Sequence, residues 1–199
     1  MECMTAAGVA TSTRTTYAEY VAAEAVAQVK HEYLRGEVWA MAGGSPEHSA
    51  LAARIIALLD LALADRPCRV FGSDARVRVQ ATDLTTYPDA SVVCGHLEVD
   101  PADAHAIVNP ALLVEVLSES TEAYDRGDKA AHYRRIPSLR EYLLVSQSEP
   151  RIELFRRGAS GLWELHEAGP GETLTLASLD VKLATDQVYR NPLAAPAAS

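Results

Sequence analysis

The sequence is poor in the residues that mark several common classes of protein. Its 199 residues include only three cysteines, which form neither a CxxC pair nor a cysteine–histidine cluster of the kind that binds zinc. We therefore expect reduced cysteines and a cytoplasmic location. The most apolar stretch, 51–64, is interrupted by Arg54 and Asp60 and is too short to cross a bilayer. The N-terminus lacks the basic start and apolar run of a signal peptide, so no membrane partner is expected.

Positive charge is also scarce. The chain has 18 basic and 27 acidic residues, and its net charge of -9 excludes a protein that coats nucleic acid with a broadly basic surface. A small basic cleft remains compatible with this balance. Lysine is rare beside arginine, so Lys129 stands out as a compact ammonium whose pKa its surroundings can tune. The chain has no Gly-x-Ser-x-Gly motif, which leaves a serine hydrolase with little support.

Composition is typical of one soluble domain. Apolar residues make up 48% of the chain and charged residues 23%. We expect a disordered N-terminal segment at 1–13, a single domain at 14–190, and a disordered, low-complexity tail at 191–199.

Local patterns predict a mixed α/β (α+β) fold. Helices are expected at 16–28, after a capping box, at 45–64, after a Ser-Pro start, and at 125–135. Strands are expected in a hairpin around 35–37, at 76–80, 90–94, 111–117 and 141–145, and in a late hairpin at 152–155 and 162–165. The strand, helix and strand between 111 and 145 have the order of a βαβ unit. Arg76 and Arg78 alternate with valines, which predicts a solvent-exposed basic face.

Glu115 is an unexpected carboxylate in the most apolar of these strands. Strand alternation places it on one face with Leu113 and Leu117. Burying a lone charge costs several kcal/mol, so this acid should be neutral, paired or bound to a metal. A salt bridge to an arginine and a functional site are both open interpretations.

Two further features are suited to the chemistry of phosphate esters. Asp89 follows Pro88 at the mouth of a strand, although a turn or cap role is its simpler interpretation. Asp125, Lys129 and Tyr133 lie four residues apart and share one helical face. Carboxylates are the ligands that Mg²⁺ prefers, and the bound metal acidifies water and stabilises charge at phosphorus. A nearby lysine can position that water.

Several stretches resemble one known family. They are 33–48, 87–94, and 114–121 with 125–129. Together they resemble the Uma-two family of bacterial endonucleases, within the PD-(D/E)XK superfamily, and the resemblance extends over about 17–189. It implies a restriction-endonuclease-like fold, in which helices flank a mixed β-sheet core.

The resemblance also implies roles for particular residues. Asp89 and Glu115 fall on the metal-binding acids of the superfamily signature, so both should hold Mg²⁺ or Mn²⁺. The signature's lysine would fall on Leu117, and the resemblance implies that the helix after the Glu115 strand supplies it instead, as Lys129. Asp89, Glu115 and Lys129 are thus the expected catalytic residues.

Four other residues are expected to support the site. Asp125 and Tyr133 match family positions with supporting roles. An additional acid from earlier in the chain often joins the metal site, and Glu37 and Glu47 are equal candidates. His48 lies near this region, but a structural or solvated role is the simpler interpretation for a histidine in the first turn of a helix.

The function implied by the resemblance is a Mg²⁺-dependent endonuclease that hydrolyses phosphodiester bonds in DNA. Arg76 and Arg78 are expected to contact the DNA, so variants at both should bind it more weakly and with a flatter salt dependence. A homodimer is expected, because nucleases that cut both strands often pair two sites by two-fold symmetry. The alternative is a catalytically degenerate member that acts as a binding or scaffold module. Metal binding that depends on Asp89 distinguishes the two.

Overall fold

The computed structural model describes residues 14–41 and 43–193. The expected N-terminal segment at 1–13 and the last part of the tail, 194–199, lie outside the described residues. The predicted domain bounds therefore stay a prediction.

The elements alternate between helix and strand in the first part of the chain and are mostly strands later. The helices are α1 (Tyr17–Glu24), α2 (Pro46–Ala62), α3 (Glu122–Tyr124), α4 (Ala130–Tyr133) and α5 (Thr185–Val188). A π-helical turn, Asp125–Lys129, joins α3 to α4. The strands are β1 (His31–Leu34), β2 (Glu37–Ala40), β3 (Cys68–Gly72), β4 (Arg76–Val79), β5 (Leu84–Thr86), β6 (Ala90–Cys94), β7 (Val99–Asp100), β8 (Asp103–Ile107), β9 (Leu112–Leu117), β10 (Glu141–Ser146), β11 (Ile152–Arg157), β12 (Trp163–Ala168), β13 (Thr173–Leu176) and β14 (Val181–Ala184). The predicted mixed α+β class is confirmed.

Two six-stranded sheets organise these strands. The first has the order β2-β1-β5-β4-β8-β7, the second has the order β12-β11-β10-β9-β6-β3, and β13 pairs with β14 alone. In the second sheet, β9 and β10 are parallel and their outer neighbours are antiparallel. The sheet is therefore mixed, and the predicted βαβ unit, with α3, the π turn and α4 as its crossover, is confirmed.

Strand β9 is buried on both faces. Leu112, Val114 and Val116 belong to an apolar cluster that α2 and the β13–β14 hairpin complete. Leu113 and Leu117 belong to a second cluster with α4 and parts of the first sheet. Because side chains alternate along a strand, Glu115 lies on the second face, among apolar neighbours, as the sequence predicts.

The two longer helices begin at the predicted caps. Thr16 and Glu19 form a capping box, in which the Thr16 N–H donates to Glu19 Oε2 at 2.7 Å. Ser45 Oγ accepts from the His48 N–H at 3.1 Å, with Pro46 as the first residue of α2. Within the described ranges, no helix is both long and apolar enough to span a membrane.

The expectation of reduced cysteines is wrong for two of the three. Cys68 and Cys94 are directly opposite in the antiparallel pair β3–β6 and are joined by a disulfide. The Gly95 N–H donates to the Pro67 carbonyl oxygen beside them. Cys68 and Cys94 therefore form a non-hydrogen-bonded pair of the antiparallel ladder, the kind whose Cα atoms lie closer together. Residues 26 apart in sequence thus become neighbours only through sheet register. Since disulfides are typical of oxidising compartments, the expected cytoplasmic location loses the support it drew from reduced cysteines.

Candidate functional site

The two strand-borne acids meet because of the pairing between β6 and β9. Ala90 is opposite Val114, and the same antiparallel register places Asp89 opposite Glu115. The Val116 N–H donates to Asp89 Oδ2 at 2.7 Å, which fixes the aspartate against the edge of β9. The structure therefore brings together the two acids that the sequence singles out.

Lys129 approaches Glu115 from the crossover helix. Its ammonium lies 2.8 Å from Glu115 Oε1 and 3.3 Å from Asp125 Oδ1. A third carboxylate, Glu32 Oε1, lies 3.5 Å away. The Lys129 side chain is only 6% exposed, so one cation is buried among three acids. We call Glu32, Glu115, Asp125 and Lys129 the lysine cluster.

Two tyrosines hold this part of the helix in place. The Tyr133 hydroxyl donates to Glu115 Oε1 at 2.7 Å. The Tyr142 hydroxyl, from β10, donates to the Asp125 carbonyl oxygen at 3.0 Å. The predicted shared face of Asp125, Lys129 and Tyr133 is confirmed, and it points toward Glu115.

Glu32 is the residue of the lysine cluster that the sequence analysis missed. It lies on β1, opposite Thr86 of β5 by the strand register, and the Thr86 hydroxyl donates to its Oε1. It shares a strand face with Leu34, as Glu115 does with leucines in β9. This alternation of side chains could have marked Glu32 as a buried acid, but in a strand of only four residues the pattern is weak evidence.

The two predicted upstream acids lie elsewhere. Glu37 and Glu47 are both exposed. Among the residues that the structure describes, no hydrogen bond or ion pair joins either of them to Asp89 or to the lysine cluster. The acid from earlier in the chain that contacts the lysine cluster is Glu32, and the expected metal-binding role of Glu37 or Glu47 stays a prediction.

His48 contacts the site, although the sequence favours a structural role. Its Nε2 lies 3.3 Å from Asp89 Oδ2, and the Ser45 cap fixes its backbone in the first turn of α2. The hydrogen bond to Asp89 raises the pKa of His48, against the opposing effect of burial. His48 thus supplies a partly exposed, readily protonated group beside the aspartate.

Burial and charge set the protonation states of Glu115 and Lys129. Burial raises the pKa of Glu115 to about 8, and Lys129 opposes this shift only in part. Burial acts to lower the pKa of Lys129, but Glu115, Glu32 and Asp125 together raise it well above its usual range. Lys129 is therefore a permanent cation and hydrogen-bond donor at neutral pH.

The donor set fits a divalent ion that keeps most of its water. Asp89 Oδ1 and Glu115 Oε2 accept no hydrogen bond and join no ion pair within the described part of the chain, so each carboxylate keeps one oxygen for a ligand. Residues 14–41 and 43–193 contain no group of three or more His, Cys, Asp or Glu side chains arranged to hold a metal. Mg²⁺ commonly takes one or two carboxylates and several waters. The pair suits such an ion and does not suit a closed structural metal site.

The predicted exposed basic face of β4 is wrong. Arg76 and Arg78 are only 6% and 8% exposed, because β4 lies between β5 and β8 inside the first sheet. Arg76 Nη2 is 3.3 Å from Asp103 Oδ1, while Arg78 contacts Asp83 and lies 4.0 Å from Asp100. A role for them in DNA binding stays a prediction, and it would require both guanidinium groups to leave these carboxylates.

Sequence comparisons place the chain among bacterial relatives. The model of the Uma2 family, described as "Putative restriction endonuclease", matches residues 17–186. The uncharacterized protein slr1290 of Synechocystis sp. (strain ATCC 27184 / PCC 6803 / Kazusa) is 38% identical over 175 residues, which cover 86% of this chain and 90% of that protein. A second protein of the same strain, uncharacterized protein sll1609, is 36% identical over 159 residues, or 80% of this chain and 90% of the relative.

A solved structure shares the fold. A putative nuclease belonging to DUF820 from Anabaena variabilis ATCC 29413 superposes with a TM-score of 0.67 over 82% of this chain and 91% of that one. Sequence identity is 16%, so the match concerns the fold alone. The predicted restriction-endonuclease-like mixed sheet flanked by helices is confirmed.

Proposed function

The chain belongs to the Uma2 family, described as "Putative restriction endonuclease", and from that premise we propose that it is a metal-dependent endonuclease acting on DNA. The observation that carries the proposal is the meeting of Asp89 and Glu115 across two strands, with the Lys129 ammonium 2.8 Å from Glu115. Carboxylates and a buried cation at one place are suited to phosphodiester hydrolysis.

Asp89 and Glu115 would hold Mg²⁺ or Mn²⁺ through the carboxylate oxygens that the protein leaves without a partner. When bound, the metal supplies an acidified water and offsets the charge that develops at phosphorus. The Val116 N–H and His48 orient Asp89 by contacting its other oxygen. Tyr133 and Lys129 do the same for Glu115.

Lys129 acts as a fixed positive charge in this proposal. The acids around it, Asp125 and Glu32 among them, keep it protonated, so it holds Glu115 in place and offsets negative charge near the reacting phosphate. While charged, it cannot accept a proton from the attacking water.

Calorimetric titration with Mn²⁺ tests the proposal directly. We expect wild type to bind Mn²⁺ and the Asp89→Asn variant to lose binding, with circular dichroism confirming that both are folded. Asp60→Asn, at an exposed position of α2, is the matched control and should bind like wild type. The same three proteins are then assayed for Mg²⁺-dependent cleavage of plasmid DNA. Cleavage that survives Asp89→Asn would refute the assigned site.

One observation favours the alternative, a catalytically degenerate binding or scaffold module. The position of the signature lysine holds Leu117, whose side chain is buried in the core, and the described residues offer no three-ligand metal group. If wild type binds no Mn²⁺, alone or with DNA present, the alternative is the better description.

The proposal includes a homodimer, in which two sites cut opposite strands. Light scattering coupled to size exclusion should give twice the 21.4 kDa mass of the chain. A monomer that cleaves both strands would remove this part of the proposal.

A further inference from the structure

The arginines of this acidic protein divide into two groups. Six lie within 4 Å of a carboxylate in the described part of the chain: Arg66, Arg76, Arg78, Arg126, Arg151 and Arg156. The other nine have no such partner there. Four of these nine, Arg134, Arg135, Arg140 and Arg157, lie together where α4 ends and where β10 and β11 meet.

Three of these four arginines line an open cavity of about 410 Å³. Arg134, Arg135 and Arg157 line it together with Trp163. Arg140 is adjacent, since the Arg157 N–H donates to its carbonyl oxygen at 2.8 Å. We call this feature the arginine pocket. In a protein with a net charge of -9, it is a concentrated site of positive charge that no carboxylate of the described chain neutralises.

Arg157 gives the pocket a fixed frame. Its guanidinium donates to the carbonyl oxygens of Arg134 at 2.7 Å, Ile136 at 3.0 Å and Pro137 at 3.1 Å, and stacks 4.9 Å above the Trp163 ring. Burial, and then the charge of Arg140, lower its pKa. The segment that carries Arg134 and Arg135 is therefore held in one conformation by a cation whose partners are uncharged.

We propose that the arginine pocket binds phosphates of the DNA backbone, at a distance from the site of hydrolysis. Arginine is well suited to this, because its planar fork of donors matches phosphate oxygens. A local group of arginines also allows an acidic protein to bind a polyanion, where a broadly basic surface is absent. The inference rests on the proposed function for the choice of DNA as the polymer.

The position of the pocket suits such a contact. The Arg140 N–H donates to the carbonyl of Ala111, just before β9, at 2.9 Å, and Glu115 lies four residues further along the chain. Along β9, at about 3.3 Å per residue, Ala111 and Glu115 lie roughly 13 Å apart, so the pocket adjoins the beginning of the strand that carries Glu115.

Fluorescence anisotropy with a labelled DNA duplex, in EDTA and over about 50 to 200 mM NaCl, tests the proposal. The variant Arg134→Gln/Arg135→Gln should bind several-fold more weakly than wild type, and its slope of log affinity against log salt should be about 2 smaller in magnitude. The matched control is Arg69→Gln/Arg190→Gln, which changes net charge equally at two exposed arginines outside the pocket. It should keep the slope of wild type. Circular dichroism confirms folding of each variant.

Three outcomes would overturn the inference: no DNA binding by wild type, an unchanged slope in the pocket variant, or an equal loss in the control. A further arm replaces NaCl by sodium phosphate at equal ionic strength. Because phosphate and DNA would compete for the same arginines, phosphate should displace DNA from wild type more strongly than from the pocket variant. Because these measurements exclude metal, they remain informative whether or not the Asp89→Asn experiments support hydrolysis.

Discussion

The Lys129 ammonium and Glu115 Oε1 lie 2.8 Å apart, although one side chain comes from the crossover helix and the other from the centre of a sheet. Both side chains are about 6% exposed. Lys129 also contacts Asp125 and Glu32, so removing Lys129 and removing Glu115 have different consequences. Without Lys129, three buried acids lose the cation that they share. Without the charge of Glu115, Lys129 still has two acidic neighbours.

Lys129→Met should destabilise the protein by about 3–5 kcal/mol, because it leaves buried carboxylates without a compensating charge. Urea unfolding measures the effect. Lys182→Met is the matched control, since Lys182 is exposed on β14, and its stability should stay within about 0.5 kcal/mol of wild type. A cost for Lys129→Met as small as that of the control would show that the lysine cluster is not electrostatically coupled.

Glu115→Gln should remove a pH dependence from the metal-free protein. Because the pKa of Glu115 is raised from 4.5 to about 8 on folding, the folded state takes up a proton that the unfolded state releases. Its stabilising contribution is complete below pH 4.5 and is lost as pH rises toward 8, by at most about 1.4 kcal/mol per pH unit. Denaturant unfolding of both proteins in EDTA, from pH 5 to pH 9, gives the difference, and His48 cancels because both retain it. Parallel stability curves for the two proteins would contradict the raised pKa.

Glu32→Gln should reduce metal-dependent cleavage by about tenfold or more, because Glu32 is one of the carboxylates that position Lys129. The Thr86 hydroxyl can still donate to the amide oxygen, so the fold should persist. Glu37→Gln and Glu47→Gln are the matched controls, and both should cleave like wild type. If cleavage is lost only in Glu37→Gln or only in Glu47→Gln, that residue is the additional acid of the site, and Glu32 is not.

The disulfide predicts a simple thiol count. The denatured, unreduced protein should show one thiol per chain by reaction with Ellman's reagent, and three after reduction, because Cys68 and Cys94 are joined. Cys68→Ser/Cys94→Ser should lower the free energy of unfolding by about 3–4 kcal/mol, since the bond closes a loop of 26 residues. Three thiols in the unreduced protein would show that the bond does not form.

Sequence reasoning succeeded where local pattern determines structure. The caps of α1 and α2, the crossover between β9 and β10, and the buried face of Glu115 all follow from spacing of a few residues. The shared helical face of Asp125 and Lys129 likewise follows from their spacing of four residues. The meeting of Asp89 with Glu115 was reached from the family resemblance, because no local pattern relates residues on different strands.

The errors all concern contacts between distant segments. The alternation of Arg76 and Arg78 is compatible with a solvent-exposed face, and acids from later strands, Asp100 and Asp103, show that it is buried. Glu32 reaches Lys129 through packing of the first sheet against the crossover helix. Cys68 finds Cys94 through strand register. Such pairings depend on the whole fold, and local patterns in a single sequence do not reveal them.

The π-helical turn at Asp125–Lys129 makes the site sensitive to chain length as well as to residue type. An α-helix rotates by about 100° per residue, so deleting one residue within this turn, or adding one, would swing Tyr133 away from Glu115 even if every side chain were retained. Substitutions at the exposed positions of the turn, Gly127 and Asp128, leave that rotation unchanged. Among homologous sequences, we therefore expect substitutions to be common at Gly127 and Asp128. Insertions and deletions should be rare within residues 125–129.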